Sequence, residues 1–117
     1  MARVFYVHWH EDEALDAVRA MRAAGHTVVY HWDSQTGADT WKTFKASPPD
    51  VLVVSLARLP SHGRRVAAVT TETKKYRHIP VFFVDGAPEK LAVARKQFPQ
   101  ATFTTSGRLL DALSLLG

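Results

Sequence analysis

The chain has 117 residues, of which 46% are hydrophobic and 22% charged, and its formal net charge is +4. This length and balance argue against a disordered chain and predict one folded domain, while the positive charge permits an acidic partner without identifying it. The sequence contains no cysteine, which excludes disulfides and cysteine-ligated zinc, and no long apolar run, which favours a cytoplasmic protein without membrane insertion.

Short β-rich apolar runs alternate along the chain with segments of helical period. The predicted strands are Arg3–His8, Thr27–Trp32, Val51–Ser55, Val81–Val84 and Thr102–Thr105. The third run is continuous and β-branched, as expected for a central strand that is buried on both faces. This alternation favours βα units around a parallel sheet that helices cover on both sides.

Two helices are predicted between the first three strands. The first runs from about Asp12 to Ala24, with an apolar stripe that contains Leu15, Val18 and Met21. Gly25 follows it as a C-terminal cap. A short second helix carries Trp41 and Phe44 at i, i+3 spacing.

Three more helices are predicted in the second half of the chain. One runs from Gly63 to about Lys74, and the next has Pro88 in its first turn, with Leu91, Ala94 and Phe98 facing inward. Ser106 is the predicted N-cap of the last helix. The buried stripe predicted for that helix is Leu109, Leu110, Leu113 and Leu116.

Right-handed crossovers between such units favour the strand order 2-1-3-4-5. The predicted fold is therefore a flavodoxin-like three-layer α/β fold with five parallel strands and five helices. In this order the carboxyl ends of strands 1, 3 and 4 meet in one crevice.

The segment from Pro49 to Gly63, together with Ile79–Val84, resembles the receiver domain of two-component response regulators. Leu59-Pro60 and Gly63 match the receiver's loop after strand 3, and the resemblance covers essentially the whole chain. It implies that residues 1–117 form a single receiver-like domain. Ser55 stands where receivers carry the aspartate that accepts phosphate.

The resemblance also implies that the phosphorylation pocket is degenerate. Receivers bind a divalent metal partly through an acidic pair, which aligns here with His8 and Trp9. Glu11 and Asp12 follow a few residues later and could replace that pair only if the loop were rearranged, because the ligand oxygens must converge on the metal. Asp85 aligns with the receiver's Thr or Ser after strand 4. Thr105 or Ser106 aligns with its lysine. A Ser hydroxyl forms no acyl phosphate, so we expect a pseudo-receiver that acts without phosphorylation.

By the same resemblance, the fourth helix, fifth strand and fifth helix form the surface that contacts partners. The candidate residues there are Val93, Gln97, Phe103 and Arg108. The expected partner is another signalling protein, such as a histidine kinase, a response regulator or an output protein, or a second copy of the chain. No catalytic residue, metal or cofactor is expected.

Two other chemistries remain open for residues near the crevice. His8, Ser55 and Asp85 have the residue types of a base, a nucleophile and an orienting carboxylate, so a small hydrolase is an alternative, although no glycine flanks Ser55 as in a nucleophile elbow. His8 and His10, with His31 and Asp33, have side chains of the kind that bind zinc, but in no recognised metal-binding spacing.

A basic nucleic-acid accessory domain is a further alternative. The excess cations lie in Arg64-Arg65, Arg95-Lys96 and the dense run from Lys74 to His78. The sequence contains no helix-turn-helix or stacked-aromatic motif. Trp9 is predicted to lie in a loop, where an exposed tryptophan would suit a binding surface. No Gly-rich phosphate loop follows strand 1, which argues against a nucleotide or flavin cofactor.

Overall fold

The continuous β-branched run in the middle of the chain forms the central strand of a parallel sheet. A computed structural model of the chain describes residues 3–8, 11–31, 42, 44–46, 48–56, 67, 68 and 70–115. The strands are β1 (Arg3–Val7), β2 (Thr27–His31), β3 (Val51–Ser55), β4 (Val81–Val84) and β5 (Thr102–Thr104). Their order is β2-β1-β3-β4-β5, and all neighbouring pairs are parallel, which confirms the predicted topology.

Helices occupy the crossovers between the strands. The fully described ones are α1 (Glu11–Ala23), α4 (Pro88–Gln97) and α5 (Leu109–Ser114). Helical residues 42 and 44–46 belong to α2, and helical residues 67, 68 and 70–72 belong to α3. Trp32, Trp41 and Leu116, and the predicted start of the third helix at Gly63, lie outside the described residues. Among those residues, no helix is long and apolar enough to cross a membrane.

The sheet has an apolar cluster on each face because alternate strand residues point to opposite sides. On the α1 and α5 side, Val53 and Phe82 pack with Val18, Met21 and others. The other face packs against α2, α3 and α4. Its main members are Phe5, Phe44, Leu52, Val54, Tyr76, Phe83 and Phe98. All five residues of β3 are buried, which confirms that this strand is the spine of the core.

The first helix ends as the sequence predicts. Gly25 has φ of 98°, a left-handed conformation that glycine adopts without steric cost. The N–H of His26 donates to the Met21 carbonyl at 3.1 Å, and the N–H of Gly25 donates to the Arg22 carbonyl at 3.0 Å. This pair of bonds is a Schellman motif, which satisfies carbonyls that the helix end would otherwise leave unpaired.

The chain enters its last helix differently from the prediction. Ser106 is not the N-cap of a long helix, because Ser106–Arg108 forms a turn of 3₁₀-helix with Thr105 as its N-cap. The α-helical part begins only at Leu109, after Arg108. The buried face of this helix contains Leu109 and Leu113. The prediction that Leu110 belongs to that face is wrong, since Leu110 is exposed.

Candidate functional site

Polar residues follow three neighbouring strands at the carboxyl edge of the sheet. In the pairing of β1 with β3, Val7 lies opposite Val54, so His8 and Ser55 occupy the next positions. In the pairing of β3 with β4, Ser55 lies opposite Val84, which immediately precedes Asp85. The fold therefore brings the ends that carry His8, Ser55 and Asp85 together, as the sequence predicted.

His8 and Ser55 are both buried. Their exposed fractions are 4% and 1%. Ser55 alternates with Val51 and Val53, and His8 alternates with Val4 and Tyr6, so both lie on the α1 and α5 face of the sheet. The His8 ring meets the Tyr6 ring edge to face, with centroids 5.9 Å apart. Ser55 is therefore part of the core, and His8 is buried except where it meets a cleft between α1 and α5.

Asp85 begins a tightly constrained loop after β4. It has φ of 60°, a left-handed conformation that Asp tolerates better than most residues, and the following Gly86 has φ of 110°. The Asp85 N–H donates to the Thr104 carbonyl at 3.0 Å, which attaches the loop to β5. A Cβ atom on Gly86 would lie 2.8 Å from the Cβ of Leu56, so only glycine fits there.

The other predicted pocket residues lie at the end of β5 or outside the described residues. Thr105 is exposed and directly follows β5, and Ser106 is the first residue of the 3₁₀ turn. Trp9 lies outside the described residues, as does His10. The aligned lysine position therefore carries a hydroxyl residue at the expected end of β5.

The donors at these strand ends do not match the divalent-metal site of a receiver. Mg²⁺ and Ca²⁺ prefer carboxylate and carbonyl oxygens. Among the described side chains at the ends of β1, β3 and β4, Asp85 supplies the one carboxylate, beside an imidazole and a hydroxyl. Within the described part of the chain, no group of three His, Cys, Asp or Glu residues is placed to hold a metal ion.

A cleft of about 480 Å³ opens beside the buried pair, between α1 and α5. Its walls combine apolar side chains with the polar groups of His8, Asp16 and Asp85. The remaining lining residues are Tyr6, Ala17, Ala20, Met21, Gly107, Leu109 and Leu110. A crevice at these strand ends was predicted from the strand order, but the contribution of α1 and α5 to its walls was not, because it depends on how two distant helices pack against the sheet.

The predicted partner surface is only partly exposed. Val93 is 47% exposed, and Gln97 and Arg108 are also exposed. Phe103 is half-buried, and its ring stacks on Phe83 with centroids 5.3 Å apart. The Arg95 guanidinium lies 5.2 Å from the centre of the Phe103 ring. This cation–π contact was not predicted from the sequence.

No protein-family model matches the chain, and no curated protein matches it. Solved structures resemble it throughout its length. The Vibrio cholerae chemotaxis protein CheY4 superposes with a TM-score of 0.77 at 18% identity, covering 100% of this chain and 99% of that one. The pseudo-receiver domain of the CikA protein gives 0.70 at 16% identity, covering 99% and 97%.

A third structure, the N-terminal domain of a response regulator receiver protein from Methanoculleus marisnigri JR1, gives a TM-score of 0.68 at 15% identity. It covers 97% of this chain and 94% of that chain. At these identities the similarity is one of fold. The chain therefore has the flavodoxin-like fold that receiver and pseudo-receiver domains share.

Proposed function

We propose that this chain is a non-catalytic pseudo-receiver, a single cytoplasmic domain that binds another signalling protein without being phosphorylated. The observation that carries the proposal is the burial of Ser55, 1% exposed, at the position where the receiver resemblance places the phosphoacceptor. A receiver aspartate must be reached by a phosphodonor and must lie beside a metal. At that position this chain offers a buried hydroxyl, on which no acyl phosphate can form.

The same burial argues against the hydrolase alternative. A serine nucleophile must contact its substrate, and a base must reach the hydroxyl. Ser55 pairs with Val84 within a regular parallel ladder, whereas an esterase nucleophile stands on a sharp turn between a strand and a helix. The residue types of a triad are present, but the nucleophile faces the protein interior.

The partner surface that we propose contains α4, β5 and α5, with Val93, Gln97, Phe103 and Arg108 as contact residues. It combines an apolar centre at Val93 with exposed cations and a half-buried aromatic ring. Buried aromatic and arginine contacts dominate the binding energy of many protein interfaces. The partner in this proposal is a histidine kinase, a response regulator or an output protein, or a second copy of the chain.

The first test is a titration with magnesium and beryllofluoride, followed by backbone amide NMR. An ordinary receiver serves as the positive control. We expect no saturable shift around His8, Ser55 and Asp85, because the donors for the metal and the phosphoryl mimic are altered together. Saturable shifts at these residues would show that the pocket recognises a phosphoryl-like ligand, and the proposal would fail.

The second test separates interaction from catalysis. Capture of partners by the wild type should persist in Ser55→Ala and weaken in the double variant Arg108→Glu, Phe103→Ala. Folding of each variant is checked by circular dichroism, since Phe103 also packs on the core. Loss of serine-probe labelling and of ester turnover in Ser55→Ala would support the hydrolase instead, and unchanged capture by the double variant would rule out the proposed surface.

A further inference from the structure

A second cleft lies at the opposite edge of the sheet from Ser55. Its volume is about 420 Å³, and it is bounded by the turn before β4 and the turn before β5. Ligand sites for small molecules usually have volumes of roughly 300–1,000 Å³. Of the residues that line this cleft, the proposed function uses only Gln97.

The backbone on both sides of the cleft is held in place by the core. Tyr76 and Ile79 are buried, and the Tyr76 ring meets Phe44 edge to face at 5.2 Å. The N–H groups of Tyr76 and Arg77 both donate to the Thr73 carbonyl at 2.9 Å. Across the cleft, Phe98 is buried, and its carbonyl accepts from the Ala101 N–H at 3.1 Å. The cleft is therefore largely preformed, which lowers the entropic cost of binding.

The polar lining of the cleft is selective for negative charge. Arg77 supplies a guanidinium and His78 an imidazole, whereas the described residues that line the cleft include no carboxylate. A guanidinium binds phosphate or carboxylate through two parallel hydrogen bonds. The side-chain amides of Gln97 and Gln100 can each donate and accept.

Apart from Thr71, whose hydroxyl donates to the Ala68 carbonyl, the remaining lining is apolar and includes Ile79 and Phe98. An apolar wall with few convergent polar groups is the usual composition of a small-molecule site. A ligand that fits both parts would carry one anionic group for Arg77 and His78. It would also carry a flat body that packs on the apolar wall, with ring heteroatoms within reach of the glutamines.

We propose that this cleft binds a small organic anion, namely a phosphate or carboxylate carried on a planar, largely apolar ring. The recognition is a charge-assisted hydrogen bond to Arg77 combined with burial of the ring against Phe98. The site is separate from the degenerate pocket, which lies at the other end of the strands, and it shares Gln97 with the proposed partner surface.

The experiment is a titration of the whole chain, followed by amide NMR, with adenosine monophosphate and indole-3-carboxylate as probes. Saturable shifts are expected for residues 77–81 and 97–101 with one or both probes. Adenosine, indole and inorganic phosphate, each lacking one half of the ligand, should bind at least about tenfold more weakly, since a charge-assisted hydrogen bond or a buried ring is missing. Binding of one probe and not the other would narrow the ligand to that combination of ring and anionic group.

Arg77→Gln should lower the affinity for the probe that binds by about tenfold or more. Arg19→Gln is the matched control, because Arg19 is exposed on α1 with 76% of its side chain accessible, and it should leave affinity unchanged. Equal weakening by both variants, or tighter binding of an oligothymidylate with shifts spread over all basic residues, would indicate general polyanion attraction and overturn the proposal. Absence of saturable shifts with both probes at millimolar concentration would overturn it as well.

Discussion

The backbone conformation at Gly86 leaves almost no choice of side chain. Replacing it with alanine would place a Cβ atom 2.8 Å from the Leu56 Cβ at φ of 110°. We expect Gly86→Ala to lower the free energy of unfolding by about 2 kcal/mol, measured by urea denaturation.

Gly107 provides the matched control for that measurement. A Cβ atom there would meet nothing closer than the Thr105 hydroxyl oxygen at 4.0 Å. Gly107→Ala should therefore leave the free energy of unfolding unchanged or raise it by up to about 1 kcal/mol. Equal effects of the two substitutions would contradict the steric account of the loop after β4.

Replacing Ser55 with aspartate tests whether the pocket still accommodates the phosphoacceptor of an ordinary receiver. A carboxylate at this position would be buried at the end of β3, and removing it from water is costly even beside an imidazole. We expect Ser55→Asp to lower the free energy of unfolding by at least about 2 kcal/mol relative to Ser55→Asn, which has a similar shape and no charge.

The pH dependence of the same pair provides a second readout. The gap between Ser55→Asp and Ser55→Asn should narrow at acidic pH, because the introduced carboxyl is then protonated. Equal stability of the two variants at neutral pH would mean that a positive group in the pocket compensates the charge, and the pocket would be closer to a working receiver than we infer.

At the scale of the element, α4 packs against the sheet through a small residue. Ala94 is fully buried among the aromatic residues of its cluster, whereas Ala92 on the same helix is exposed. We expect Ala94→Leu to lower the free energy of unfolding by about 1–3 kcal/mol through overpacking. Ala92→Leu should change it by less than about 0.5 kcal/mol, and a similar cost for both would contradict the observed face of the helix.

At the scale of the whole molecule, the strand order predicts a gradient of stability. β3 lies in the centre with every residue buried, whereas β5 is an edge strand with partly exposed residues. In native-state hydrogen exchange, the amides of Val53 and Val54 should exchange only through global unfolding. The amides of β5 should open at a lower free energy, and exchange as slow as that of β3 would argue against this view of the edge.

The sequence predicted the sheet well because each strand carries its own signal. Val51–Ser55 and Val81–Val84 are found with the predicted bounds, and right-handed crossovers leave few alternatives to the observed order. The first helix begins and ends within one residue of the prediction, since its apolar stripe and Gly25 are local signals.

The errors include a local one, since the chain forms a 3₁₀ turn before α5 and that helix begins later than predicted, with Leu110 exposed. The positions of His8, Ser55 and Asp85 could be predicted from strand order alone. The walls that α1 and α5 give to the cleft at these strand ends could not, and neither could the second cleft, because both are formed by helices or turns that lie far apart in the sequence.

The contact between Leu56 and Gly86 also provides a rule for recognising distant relatives of this chain. A Cβ atom at position 86 would overlap the Leu56 Cβ, and φ of 110° disfavours a side chain there whatever residue stands at position 56. Any homologue that keeps the same loop should therefore have glycine at position 86. Such a restriction survives when overall identity is too low for a family model to detect, and it can be sought directly in aligned sequences.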